Sequence, residues 1–109
     1  MNYNVVVAET FKKDAKKLVK KYVSLKSDIA ELIESLSELP LQGFPLGQDC
    51  YKVRMAIKSK NKGKSGGSRV ITCVKIVEET VILLSIYDKS DKESLDDNEL
   101  DWLLKEAGL

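Results

Sequence analysis

The chain has 109 residues, 43% of them apolar and 32% charged, and a formal net charge of +1. That length predicts one domain, residues 1–109, with a single core, and the composition is that of a globular chain rather than a disordered one. There is no histidine, which excludes Ser-His-Asp and Cys-His nucleophilic systems and His-bearing zinc sites and leaves acid–base work to carboxylates, Tyr, Lys or the substrate.

Residues 3–8, Tyr-Asn-Val-Val-Val-Ala, read as a short strand from their β-branched content. The start lacks the basic region and long apolar stretch of a secretion signal. No apolar run approaches the roughly 18 residues of a membrane span, so a cytoplasmic protein without membrane contact is expected. Thr10 is the predicted N-cap of the next segment. Phe11, Ala15, Leu18, Val19 and Tyr22 then recur at helical spacing, opposite a face of six lysines, Lys12, Lys13, Lys16, Lys17, Lys20 and Lys21. A second apolar stripe, Leu25, Ile29, Leu32, Ile33 and Leu36, follows almost at once and ends at Pro40. Two such helices joined by two or three residues predict an antiparallel helical hairpin.

Residues 40–49 carry two Pro and two Gly and read as a connector. The period then switches to two: Tyr51, Val53, Met55 and Ile57 share one face of a strand, and Lys52, Arg54 and Lys58 the other. Strands from about Arg69 to Val77 and from about Thr80 to Tyr87 complete a meander with a tight turn near Glu78-Glu79. Val81 to Leu84 is continuously apolar, which predicts a strand covered on both faces. The last helix, Asp96 to Gly108, presents Leu100, Leu103, Leu104 and Ala107, with Trp102 off the stripe. The order β-α-α-β-β-β-α predicts an α+β fold with helices on a mostly antiparallel sheet. Cys50 and Cys73 stand alone, with no CxxC spacing, and read as small apolar residues; no metal site or cofactor is expected.

Charge is distributed unevenly. Between Cys50 and Val77 lie eight basic residues and no acidic one, whereas Asp88 to Glu106 holds eight acidic residues against three basic. Such asymmetry steers a polyanion despite near-neutrality overall; solvated charge on the wet face of a sheet is the plain alternative. The stretch Gly63-Lys64-Ser65 copies the end of a phosphate-binding P-loop, but Lys58 stands where the first Gly is required, and a β-rich run follows instead of a helix. What remains is a Gly-loosened hairpin loop in which Lys58, Lys60, Lys62 and Lys64 are candidate RNA contacts. Arg69 follows it as a bidentate phosphate ligand, with Lys52 and Arg54 on the neighbouring strand. Together they are suited to holding a phosphodiester and the charge that develops as it is cleaved. Tyr87 is a candidate for base stacking or proton transfer, or else an aromatic at the edge of the core.

The segments FKKDAKKLVKKYVSLKSDI, YKVRMAIKSKNKGKSGGSRVI and VILLSIYDKSDKESL, in that order, resemble toxins of the RelE/ParE superfamily, from bacterial type II toxin–antitoxin operons. The resemblance implies a microbial-RNase-like fold and a ribosome-dependent endoribonuclease that cleaves mRNA by 2′-OH attack and so inhibits translation. By position, Lys52 and Arg54 match the family's cationic pair, Arg69 its central-strand arginine, and Lys89 lies near a further basic position. The family's C-terminal tyrosine has no counterpart, since Asp96 and Asp97 occupy that neighbourhood, and Tyr87 is the candidate substitute. The implied partners are a cognate antitoxin and mRNA on the ribosome, with contacts to 16S rRNA. The alternatives are a non-enzymatic ParE-like toxin acting on DNA gyrase and a catalytically silent relic that binds only its antitoxin.

Overall fold

In chain order the elements are β1 (Asn4–Val7), α1 (Glu9–Lys21), α2 (Leu25–Glu38), β2 (Phe44–Gly47), β3 (Cys50–Met55), a 3₁₀ turn (Lys58–Lys60), β4 (Ser68–Lys75), β5 (Thr80–Asp88) and α3 (Glu99–Glu106). The computed structural model describes residues 2–96 and 98–109, so Asp97 of the predicted last helix lies outside the described residues. The sheet order is β1-β5-β4-β3-β2, with β1 parallel to β5 and the other pairs antiparallel. The predicted α+β architecture is therefore present, with five strands among the described residues instead of four. No helix among the described residues is long and apolar enough to cross a membrane.

The extra strand is β2, which lies in the segment read as a connector. Pro45 cannot donate to a ladder, so its strand is tolerated only at the sheet's edge, which is where β2 lies. Gln48 and Asp49 both take positive φ to make the tight turn into β3. β3 also ends earlier than its alternation suggests. It stops at Met55, and Lys58 starts the 3₁₀ turn instead of continuing the strand's outer face.

The sheet's two faces are covered unequally. On one, the α1–α2 hairpin packs Phe11, Leu18, Leu25, Leu32 and Leu36 onto Val53, Met55, Val70, Val74, Val81 and Leu83. On the other, the short helix α3 places Leu103 and Leu104 over Ile71, Cys73, Leu84 and Tyr87. Cys50 and Cys73 face each other across β3 and β4 in this second cluster as buried free thiols. Burial pushes the Cys50 thiol up to about 12, with Cys73 beside it adding to the rise. An eight-residue helix cannot cover the whole face, and the β3–β4 end beside it is left open.

Thr10 does not cap α1. The helix starts at Glu9 after Ala8, and Thr10 Oγ1 instead donates to Leu84 O at 2.5 Å. The reason lies in β5, where the register slips between Ile71↔Ser85 and Thr72↔Leu83 and leaves Leu84 without a partner in β4. Asp14 of the same helix accepts from Ser85 Oγ at 2.7 Å and from the Ile86 amide at 3.3 Å, so α1 satisfies the polar groups that the bulge leaves over.

Candidate functional site

The open end of the sheet is a groove of about 690 Å³ lined by Gln42, Gly43, Phe44, Lys52, Val53, Arg54, Lys64, Arg69, Lys89 and Glu93. It brings together four of the predicted catalytic residues, Lys52, Arg54, Arg69 and Lys89, with Lys64 of the predicted RNA contacts. The register explains how. Arg54 pairs with Arg69 across β3 and β4, so their side chains share one face, and Lys52 stands two residues away on that face. Among the described residues none of the five cations forms an ion pair. Two guanidinium groups on adjacent strands repel each other unless an anion lies between them, so the arrangement is suited to a phosphate.

Arg69 is only 4% exposed. Its guanidinium donates to the carbonyls of Lys64 (3.1 Å), Ser68 (3.1 Å) and Ser65 (3.2 Å), so it holds the basic loop while lining the groove. Three of the guanidinium's five N–H donors are thus committed to backbone carbonyls among the described residues. The loop is also pinned by Gly67, where an added Cβ would lie 2.4 Å from Met55 O, a backbone atom that cannot move aside. The Lys89 amide donates to Gly67 O at 3.1 Å, which fixes the chain carrying Lys89 to the rim.

The remaining predicted contacts separate. Lys58 pairs with Glu31 at 2.7 Å, and Lys60, its side chain 7% exposed, is committed to Asp88 at 2.8 Å and Ser90 at 3.0 Å. Lys62 is exposed on the loop but does not line the groove. Tyr87 pairs with Arg69 across β4 and β5, yet its ring packs under α3 and lines a separate hollow with Asp14, Lys17, Lys92 and Glu99. Burial pushes its hydroxyl up, Arg69 opposes the rise and Glu99 adds to it, so the phenol keeps its proton at neutral pH. Its oxygen has no hydrogen-bond partner among the described residues.

Three residues escaped the sequence reading. Phe44 and Gln42 lie in the supposed connector, and Glu93, the one carboxylate that lines the groove among the described residues, is hidden among the acidic residues of the last segment. A second, deeper carboxylate is Asp88. Burial raises its pKa, but hydrogen bonds from Lys60, Tyr22 and the Ser90 amide outweigh that and hold it well below the usual carboxylate range. It joins the end of α1, the 3₁₀ turn and the end of β5 beneath the loop.

The profile of the family described as RelE toxin of RelE / RelB toxin-antitoxin system matches residues 4–109. A search of curated proteins gave no match. Among solved structures the chain is similar to the toxin–antitoxin complex RelBE2 from Mycobacterium tuberculosis, with a TM-score of 0.63 at 22% identity over 84% of this chain and 95% of that one. It is also similar to a double arginine-to-alanine mutant of Escherichia coli toxin RelE in the free state, with a TM-score of 0.62 at 19% identity over 99% and 96% of the two chains. The isolated Escherichia coli RelE toxin gives 0.60 at 16% identity over 94% and 97%. At these identities the structural likeness is one of fold.

Proposed function

The chain belongs to the RelE toxin family, and on that premise we propose that it is the endoribonuclease of a toxin–antitoxin pair, cutting mRNA on the ribosome through attack of a ribose 2′-OH on the adjacent phosphorus. The observation that carries the reading is the Arg54–Arg69 pair with Lys52, Lys64 and Lys89 in one open groove, none of them in an ion pair among the described residues. A helix N-terminus or metal is not needed to gather that much positive charge.

In this mechanism Arg54 and Arg69 hold the non-bridging oxygens of the scissile phosphate and stabilise the charge that grows there. Lys52 orients the 2′-OH. Glu93 takes the hydroxyl proton as the oxygen–phosphorus bond forms, and Lys89 gives a proton to the 5′ oxygen as its bond to phosphorus breaks. The products are a 2′,3′-cyclic phosphate and a free 5′-OH. The groove's exposed position suits a substrate presented by another particle. The partner that keeps the toxin silent is an antitoxin chain, as in the toxin–antitoxin complex this fold resembles.

Adding the purified chain to ribosomes programmed with a defined message, and mapping new 5′ ends by primer extension, tests the proposal. Discrete cuts are expected from the wild type, and none from a Lys52→Ala, Arg54→Ala double variant. Messages that stay intact, with gyrase supercoiling inhibited instead, would place the chain with the non-enzymatic alternative.

A further inference from the structure

We infer that Phe44 is a stacking platform for a nucleobase, so that the groove grips RNA by a base as well as by a phosphate; the inference rests on the nuclease reading above and adds a residue to it. Phe44 opens β2, lines the cationic groove and is 65% exposed. A phenyl ring left mostly in water beside a charged cleft adds little to the core, and its open face is one that any base can stack on.

Three features fix that ring relative to the phosphate site. Phe44 pairs with Lys52 across β2 and β3, so the two side chains leave the sheet on the same face. Lys52 Nζ lies 5.8 Å from the ring centroid, so the ring already orients one of the groove's cations. Gly43, immediately before it, takes φ of 96°, and an added Cβ there would lie 2.5 Å from Lys52 O. That close approach, open only to glycine, clamps the chain against β3 and sets where Phe44 begins.

The spacing matches consecutive parts of one strand of RNA. Lys52 and Arg54 are two residues apart on one face of β3, about 7 Å along the strand. A phosphate held between Arg54 and Arg69 therefore leaves its neighbouring base within reach of Phe44, with Lys52 between the two. Stacking carries no hydrogen-bond readout, so Phe44 positions a nucleotide without choosing which base it is.

The test places 2-aminopurine at each of the three codon positions in turn, in a ribosome-bound message whose scissile 2′-OH is replaced by hydrogen. Stacking on an aromatic ring quenches this probe. Wild-type chain is expected to quench it at one position. Phe44→Ala should lose that quench and weaken binding on the order of tenfold to a hundredfold, while Phe44→Tyr restores both, and circular dichroism confirms the fold of each. On an all-ribose message Phe44→Ala should raise KM more than it lowers kcat. If Phe44→Ala quenches and binds like the wild type while messages are still cut, the stacking role is overturned and the nuclease reading stands. If wild-type chain cuts no message, both fall. A variant that loses affinity for its antitoxin alone would make Phe44 part of the protein interface and overturn the inference.

Discussion

With its guanidinium bonded to the carbonyls of Lys64, Ser65 and Ser68, Arg69 cannot be removed as a charge without also releasing the basic loop. Arg54 is different: it is exposed and in no ion pair among the described residues, so its removal reports on chemistry alone. Arg69→Ala should abolish cleavage and also cost about 1–3 kcal/mol of stability, because three carbonyls lose their donor. Arg69→Lys keeps the charge, loses the planar fork and should recover little of either. Arg54→Ala should unfold in denaturant within about 0.5 kcal/mol of wild type yet lose roughly 10²–10³ in single-turnover rate. An Arg54→Ala chain that cuts at the wild-type rate would show that the paired guanidinium groups are not the reacting centre.

At the scale of elements, what could be read in the sequence depended on how regular each segment is. The stripes of α1 and α2 and the alternation of β3 report real faces, and the strand alternation alone placed Lys52 and Arg54 together away from the core. β2 was hidden because four residues, Phe-Pro-Leu-Gly, carry no period and hold a proline that only an edge strand accepts. The bulge at Leu84 was equally invisible: an unbroken apolar run shows no change of parity when both faces are buried. Lys60 looked like a loop cation because its partner, Asp88, is 28 residues away in sequence. That partnership ties α1, the 3₁₀ turn and β5 together, and it makes a pH prediction. The folded pKa of Asp88 is depressed, so its stabilisation is fully present above the unfolded carboxylate value of about 3.9 and is lost as pH falls through the lower folded value. Asp88→Asn leaves the buried Lys60 ammonium without its counter-charge, which costs about 3–5 kcal/mol near neutral pH. The difference in Tm between wild type and variant should hold steady from about pH 7 to 5 and narrow below about pH 4. A gap that stays constant down to pH 3 would mean that Asp88 contributes nothing as an anion.

For the molecule as a whole, a net charge of +1 conceals a separation of charge that the fold makes directional. Five cations converge on the groove, while Lys58 and Lys60 are spent on Glu31 and Asp88, and the six lysines of α1 lie on the helix that covers the sheet's other face. Binding of single-stranded RNA should therefore release only the counterions that these five displace. For a 2′-O-methylated oligonucleotide, which cannot be cut, a plot of log affinity against log salt should have a slope of about −3.5. Arg54→Ala should flatten that slope by about 0.7, and Lys17→Ala, on α1, should leave it unchanged. A wild-type slope steeper than about −5, or one that flattens with Lys17→Ala, would mean that RNA also wraps the lysine face of α1. The groove would then be one part of a larger contact, not the single place where this nearly neutral chain meets a polyanion.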